Sequence, residues 1–213
     1  MRIFIAALLA AALEVQGAPA QDPAAAIARR VQRHYERIQD FTASFAQTST
    51  YPTFGNVKNA TGKVFLKKPV LLRWQYDDGR VILIDGKELW NWNPEDKEAQ
   101  VKRGFGVDQV PPEFAFLFGK GKLLDRFAVR GVPRPEGLPA GDAIELVPRK
   151  ESADVQKLLF VVDPRGQVLA TVLTNGQGDV NQLIFSDVKV NSGLADSLFS
   201  FVPPKDAHVQ VMQ

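Results

Sequence analysis

The chain contains no cysteine and only two histidines among its 213 residues. Disulfides, thiolate nucleophiles, cysteine-based metal sites and an acylated N-terminal cysteine are excluded, so burial alone must hold the fold together. Neither His34 nor His208 has His, Cys or acidic neighbours at metal-ligand spacing, and no metal site is expected. A net charge of +2 gives no support to nucleic-acid binding. The longest apolar run, Ile3 to Leu13, has 11 residues. A membrane-crossing helix needs about 20. No serine sits in a Gly-x-Ser-x-Gly elbow, and Gly119-Lys120-Gly121-Lys122 lacks the length and the Ser/Thr of a phosphate loop. Asp77, Asp78, Asp85, Glu95 and Asp96 fall in turns, where hydrogen bonds to their own backbone account for them. A glycosidase-like carboxylate pair is the one enzymatic reading left, and no cofactor is implied.

What is present is a well-mixed globular composition, 45% hydrophobic and 23% charged. Met1-Arg2, the apolar run and the small-x-small site Ala18-Pro19-Ala20 read as a signal peptide over residues 1–20, cleaved near Ala20. Residues 21–213 then form a single exported, soluble domain, still at +2 because the leader removes Arg2 and Glu14 together.

Asp22-Pro23 has the form of a helix cap followed by proline in the first turn, and Ile27, Val31, Tyr35 and Ile38 keep helical spacing to about Gln39. From Asp40 the period falls to two. Phe41, Ala43 and Phe45 share one face, and alternation returns in 62–67 and 70–76. Asp77-Asp78-Gly79 and Asp85-Gly86 are hairpin turns flanking 81–84 and 89–92. Pro111-Pro112 interrupts the strands, and 113–118 and 123–127 read as two short helical turns. Strands resume at 127–132, 143–148, 157–162, 168–174 and 181–190. About eleven antiparallel strands must stack as a sandwich or curl into a barrel or half-barrel, and periodicity does not choose between them.

Leu72, Trp74 and Tyr76 share one face of a strand, and Trp90 and Trp92 share one face of another. Such faces are either core beneath the first helix or the wall of a ligand cavity. Four segments carry a further signal: Phe41-Thr42-Ala43-Ser44-Phe45-Ala46-Gln47, then Gly62-Lys63-Val64-Phe65-Leu66-Lys67-Lys68-Pro69, then Arg73-Trp74, then Asp85-Gly86-Lys87-Glu88-Leu89-Trp90-Asn91-Trp92-Asn93-Pro94. In order and spacing they resemble the periplasmic outer-membrane lipoprotein carrier family, LolA. The ending Leu198-Phe199-Ser200-Phe201-Val202-Pro203-Pro204, with Val209 after it, looks like that family's C-terminal signature.

The resemblance implies a mainly β fold with short helices: an incomplete antiparallel β-barrel of about eleven strands, with a helical lid over a hydrophobic cavity. It also implies a monomeric periplasmic carrier. Such a carrier takes acylated lipoproteins from an inner-membrane ABC transporter and delivers them towards the outer membrane, to an acceptor lipoprotein where one exists. By motif, Leu72 matches an apolar rim position and Trp74 the tryptophan that follows it. Tyr76, Trp90 and Trp92 join them as candidate ligand contacts, with Phe114, Phe116, Leu117 and Phe118 at the lid or mouth. Many family members have an arginine before the motif proline that grips lid backbone, whereas this chain has Lys68. A lysine loses the two-pronged grip, which predicts either an easier lid or a solvated pair with Lys67 on an edge strand. A regulatory or sensor module on the same half-barrel, and a carrier of a different lipid, are the competing functional readings.

Overall fold

The computed structural model describes residues 22–110 and 115–212. The expected leader lies outside these residues, as does Phe114. The first helix, α1 (Pro23–Arg37), begins as the sequence suggests: the Asp22 side chain accepts from the Ala24 N–H at 3.0 Å, and Pro23 fills the first turn. It stops at Arg37, two residues short of Gln39, because Ile38 is already extended (φ −78°, ψ 142°).

Among the described residues twelve strands follow: β1 (Asp40–Tyr51), β2 (Asn56–Lys67), β3 (Leu71–Tyr76), β4 (Val81–Ile84), β5 (Glu88–Asn93), β6 (Glu98–Arg103), β7 (Phe127–Gly131), β8 (Asp142–Pro148), β9 (Lys157–Val162), β10 (Val168–Thr174), β11 (Val180–Val190) and β12 (His208–Val211). A four-residue helix, α2 (Leu123–Arg126), precedes β7. All strands belong to one sheet in the order β12-β6-β5-β4-β3-β2-β1-β11-β10-β9-β8-β7. It is two meanders, β1–β6 and β7–β11, joined where β1 pairs with β11. The sheet is not closed, since β12 and β7 remain as its edges. The expected open half-barrel is therefore the fold.

Several details correct the sequence expectation. β6 and β12 bring the strand count to twelve, and β12 pairs with β6 in parallel, the exception in an otherwise antiparallel sheet. β1 and β2 run twelve residues each, so that their hairpin, tipped by the turn Pro52–Phe54, projects beyond the register of β3. β2 lies between β1 and β3, so Lys67 and Lys68 do not end an edge strand. Of the expected helical turn at 113–118, residues Ala115–Phe118 form a 3-10 turn.

The cover of the concave face comes from the chain between the two sheet edges. The chain leaves β6 near one edge and re-enters at β7, the other edge, and of the described residues between them those at 115–126 pack over the open side of the curl. This crossing segment packs with α1. Gln32 Nε2 donates to the Gly121 carbonyl at 3.2 Å, and Gln32 Oε1 accepts from the Leu123 N–H at 3.0 Å. α1 is also held to the β9–β10 turn, where a side chain at Gly166 would place its Cβ 2.5 Å from the Arg30 carbonyl oxygen. Beside that contact, His34 Nε2 lies 2.9 Å from Gln167 Oε1, and Gln167 Nε2 donates to the Tyr35 hydroxyl at 3.2 Å. Burial drives the Tyr35 phenol well above its usual range, so it stays protonated.

Candidate functional site

Between the concave face and its cover lies a cavity of about 440 Å³ with almost wholly apolar walls. Pockets for drug-sized ligands occupy roughly 300–1,000 Å³. Period-two alternation explains which side chains reach it. On β3, Leu72, Trp74 and Tyr76 point inward while Arg73 points outward, where its guanidinium donates to the Leu198 and Ser200 carbonyls. Phe116 and Leu117 of the crossing segment close the cavity from above, and the Phe116 ring meets Tyr35 at 5.5 Å and Phe160 at 5.9 Å. Phe118 is buried in the same core but does not line the cavity.

Trp90 and Trp92 lie elsewhere, which corrects the expectation that they join the lining. In the register β3–β4–β5, Arg73 pairs with Leu83 and Leu83 with Trp90, so Trp90 shares the outward face of Arg73. Trp90 and Trp92 form a separate outer cluster with Val81, Leu83 and Ala99. Phe201 covers it, 5.5 Å from Trp90 and 6.1 Å from Trp92. They are core beneath the chain that leads to β12.

Much of the wall comes from strands that the aromatic pattern does not single out. Leu158 and Phe160 of β9, Leu173 of β10, and Leu183 and Phe185 of β11 line it from the second meander. Their alternation is visible in the sequence, but nothing local tells which face of each strand looks inward. Across β2, the Phe45 ring of β1 lies tilted against Trp74 at 4.6 Å and meets Tyr76 edge-on at 5.3 Å. Gly62 makes room for that ring: a Cβ there would run into the Gln75 carbonyl oxygen and lie 2.7 Å from Phe45 Cζ.

Lys68 reaches the cover directly. Its Nζ donates to the Tyr35 carbonyl at 2.7 Å and the Glu36 carbonyl at 3.0 Å, near the C-terminal end of α1. Burial lowers its pKa below the ordinary lysine value, opposed by the charge of Glu36. A single ammonium therefore bridges two carbonyls, with one donor left over. Lys67 turns the other way, to the Leu194 carbonyl and Asp196. Nearby, the buried Asp40 carboxylate accepts from the N–H groups of Ser192, Gly193 and Leu194 and from the Ser192 hydroxyl. Burial pushes its pKa up, but these donors outweigh it and hold the group below the usual carboxylate value.

Among the described residues no group of three or more His, Cys, Asp or Glu side chains lies together as metal ligands would. No described helix is long and apolar enough to cross a membrane. An open sheet curled round an apolar cavity, with a helical cover gripped by a lysine, defines a class: a half-barrel protein whose site suits an apolar ligand. Residues 36–202 match the family described as outer membrane lipoprotein carrier protein LolA, and the chain belongs to that family. The family is one of carriers rather than enzymes. The outer-membrane lipoprotein carrier protein of Nitrosomonas europaea is 26% identical over 173 residues, covering 79% of this chain and 81% of the relative. That of Pseudomonas syringae pv. tomato is 26% identical over 208 residues, 95% of this chain and 96% of the relative. In fold, the chain is similar to an uncharacterized conserved protein from Thermus thermophilus, with a TM-score of 0.53 at 18% identity, covering 89% of this chain and 99% of that one.

Proposed function

We propose that the protein is a periplasmic carrier that shelters the acyl chains of lipoproteins released from the inner membrane and delivers them towards the outer membrane. The observation that carries the reading is the apolar cavity between sheet and cover, in a chain of the lipoprotein carrier family. The donor in this reading is an inner-membrane ABC transporter, and the acceptor is an outer-membrane lipoprotein where one exists.

The energetics favour a carrier of this kind. Three acyl chains hold on the order of 40 methylene groups at about 0.8 kcal/mol each, a gross cost near 30 kcal/mol in water. A cavity of 440 Å³ suits a drug-sized ligand, so a triacyl anchor requires the cover to shift as it enters. Release requires the reverse, and a cover held by a few hydrogen bonds suits both directions better than a sealed core. In this scheme Leu72, Trp74, Tyr76, Phe116 and Leu117 contact the chains, and Lys68 latches the cover.

Native mass spectrometry of the mature protein tests this, using protein purified from the periplasm of cells that overproduce one outer-membrane lipoprotein. The expected result is a one-to-one complex that forms with the acylated lipoprotein and not with a non-acylated version. A Leu72→Glu variant is expected to fold but to come out empty, because the charge faces the apolar space. Equal capture of the non-acylated control would overturn the reading in favour of protein recognition, and capture of a different lipid alone would change the cargo.

A further inference from the structure

The cavity is apolar along most of its length and polar at one end. β1 leads away from α1, and Gln47 faces inward seven residues beyond Asp40, about 23 Å along the strand. There Gln47 Nε2 donates to Asn181 Oδ1 at 3.1 Å, from β1 to β11. However the two amides are turned, one bond between them leaves a carbonyl on one and an amino group on the other for a third partner. The Tyr76 hydroxyl lies beside Gln47 and Trp74, and burial keeps it protonated. Trp74 Nε1 is sealed from solvent with no acceptor in hydrogen-bonding geometry among the described residues.

A hydrocarbon chain gives these groups nothing. A polar group sealed away without a partner costs about 1–3 kcal/mol, and Trp74 Nε1 is such a group beside the half-paired amides at the end of this apolar space. Most of what they offer is N–H and O–H, so the complementary ligand group is an acceptor. The point where an acyl chain meets its headgroup supplies that acceptor as an ester or amide carbonyl.

We infer that Gln47, Asn181, Tyr76 and Trp74 form a subsite for the carbonyls that join acyl chains to their headgroup, while the apolar walls take the chains. The inference rests on the carrier reading and adds an orientation to it. The chains point towards α1, and the headgroup sits at the end where the β1–β2 hairpin projects. Ester carbonyls of this kind occur both in the acylglyceryl group of a lipoprotein and in a phospholipid.

The test measures displacement of a fluorescent apolar probe from the full mature chain. Its ligands are an ester-linked dipalmitoylglyceryl cysteinyl peptide, the ether-linked analogue that lacks the carbonyls, and an ester phospholipid. The expected result is that the ester peptide binds at least about tenfold tighter than the ether peptide. A Gln47→Met, Asn181→Leu double variant should bring that ratio close to one, each peptide's affinity being corrected for the variant's own affinity for the probe. Equal ester and ether affinities in the unaltered protein would overturn the subsite whether or not the variant folds, and leave the carrier reading intact. Failure of both peptides to displace the probe would overturn both. Once the ester preference is found, displacement by the phospholipid as well would identify glycerol esters in general as sufficient, and displacement by the ester peptide alone would tie the subsite to the lipoprotein anchor.

Discussion

Two side chains set the terms on which the cover meets the sheet. Lys68 holds carbonyls at the end of α1, contacts made by a partly exposed group and worth roughly 1 kcal/mol. Lys68→Met is expected to speed amide hydrogen exchange along α1 about fivefold, and Lys68→Arg, with its planar fork of donors, is expected to slow it or leave it unchanged. Unaltered exchange in the methionine variant would show that the lysine does not latch the helix. Asp40 acts on the other side of the same junction, tying the start of β1 to residues 192–194. Its folded pKa lies below the unfolded value of about 3.9, so acid protonates the unfolded chain first. Its contribution is therefore complete above that unfolded value and lost as pH falls through the folded one. Urea unfolding at pH 7 should find Asp40→Asn less stable by about 2 kcal/mol, and at pH 3 the gap should narrow. A gap that stays constant with pH would mean the carboxylate charge is not what the three N–H groups bind.

At the scale of the element, β2 is shaped by the absence of a side chain. Gly62 lets the Phe45 ring lie across the strand against Trp74 and Tyr76, which keeps three aromatic rings on one inward rank. Gly62→Ala should cost about 3 kcal/mol, roughly 10 °C in Tm, because its Cβ collides with the Gln75 backbone as well as the ring. Gly131→Ala on β7 is the control, as nothing stands within 4 Å of its Cβ. Equal melting temperatures for the two variants would show that β2 relaxes freely. Elements with strong local signals are legible in the sequence. The capped start of α1 and strands β9 and β10 fall where cap chemistry and alternation put them. β6 escapes such a reading because its inward–outward contrast rests on Ala99 and Val101 among charged and amide neighbours. β12 escapes it because the strand is short and exposed and its partner lies in a distant part of the chain.

The whole molecule is less legible than its parts for a reason of parity. Alternation gives two faces to every strand but does not say which one a distant partner will cover. The same kind of pattern assigns Leu72, Trp74 and Tyr76 to the cavity, where they are, and Trp90 and Trp92, which lie outside it. Register across β3, β4 and β5 separates the two sets, and register is a property of the assembled sheet. The polar end of the cavity is hidden likewise, since Gln47 and Asn181 are 134 residues apart and read singly as ordinary strand residues. The parallel pairing of β12 with β6 also decides what the outer face shows to water. The chain that runs to β12 carries Phe201 over Trp90 and Trp92, so β12 acts as a buckle: without its hold on β6 that aromatic pair would lie open as a patch.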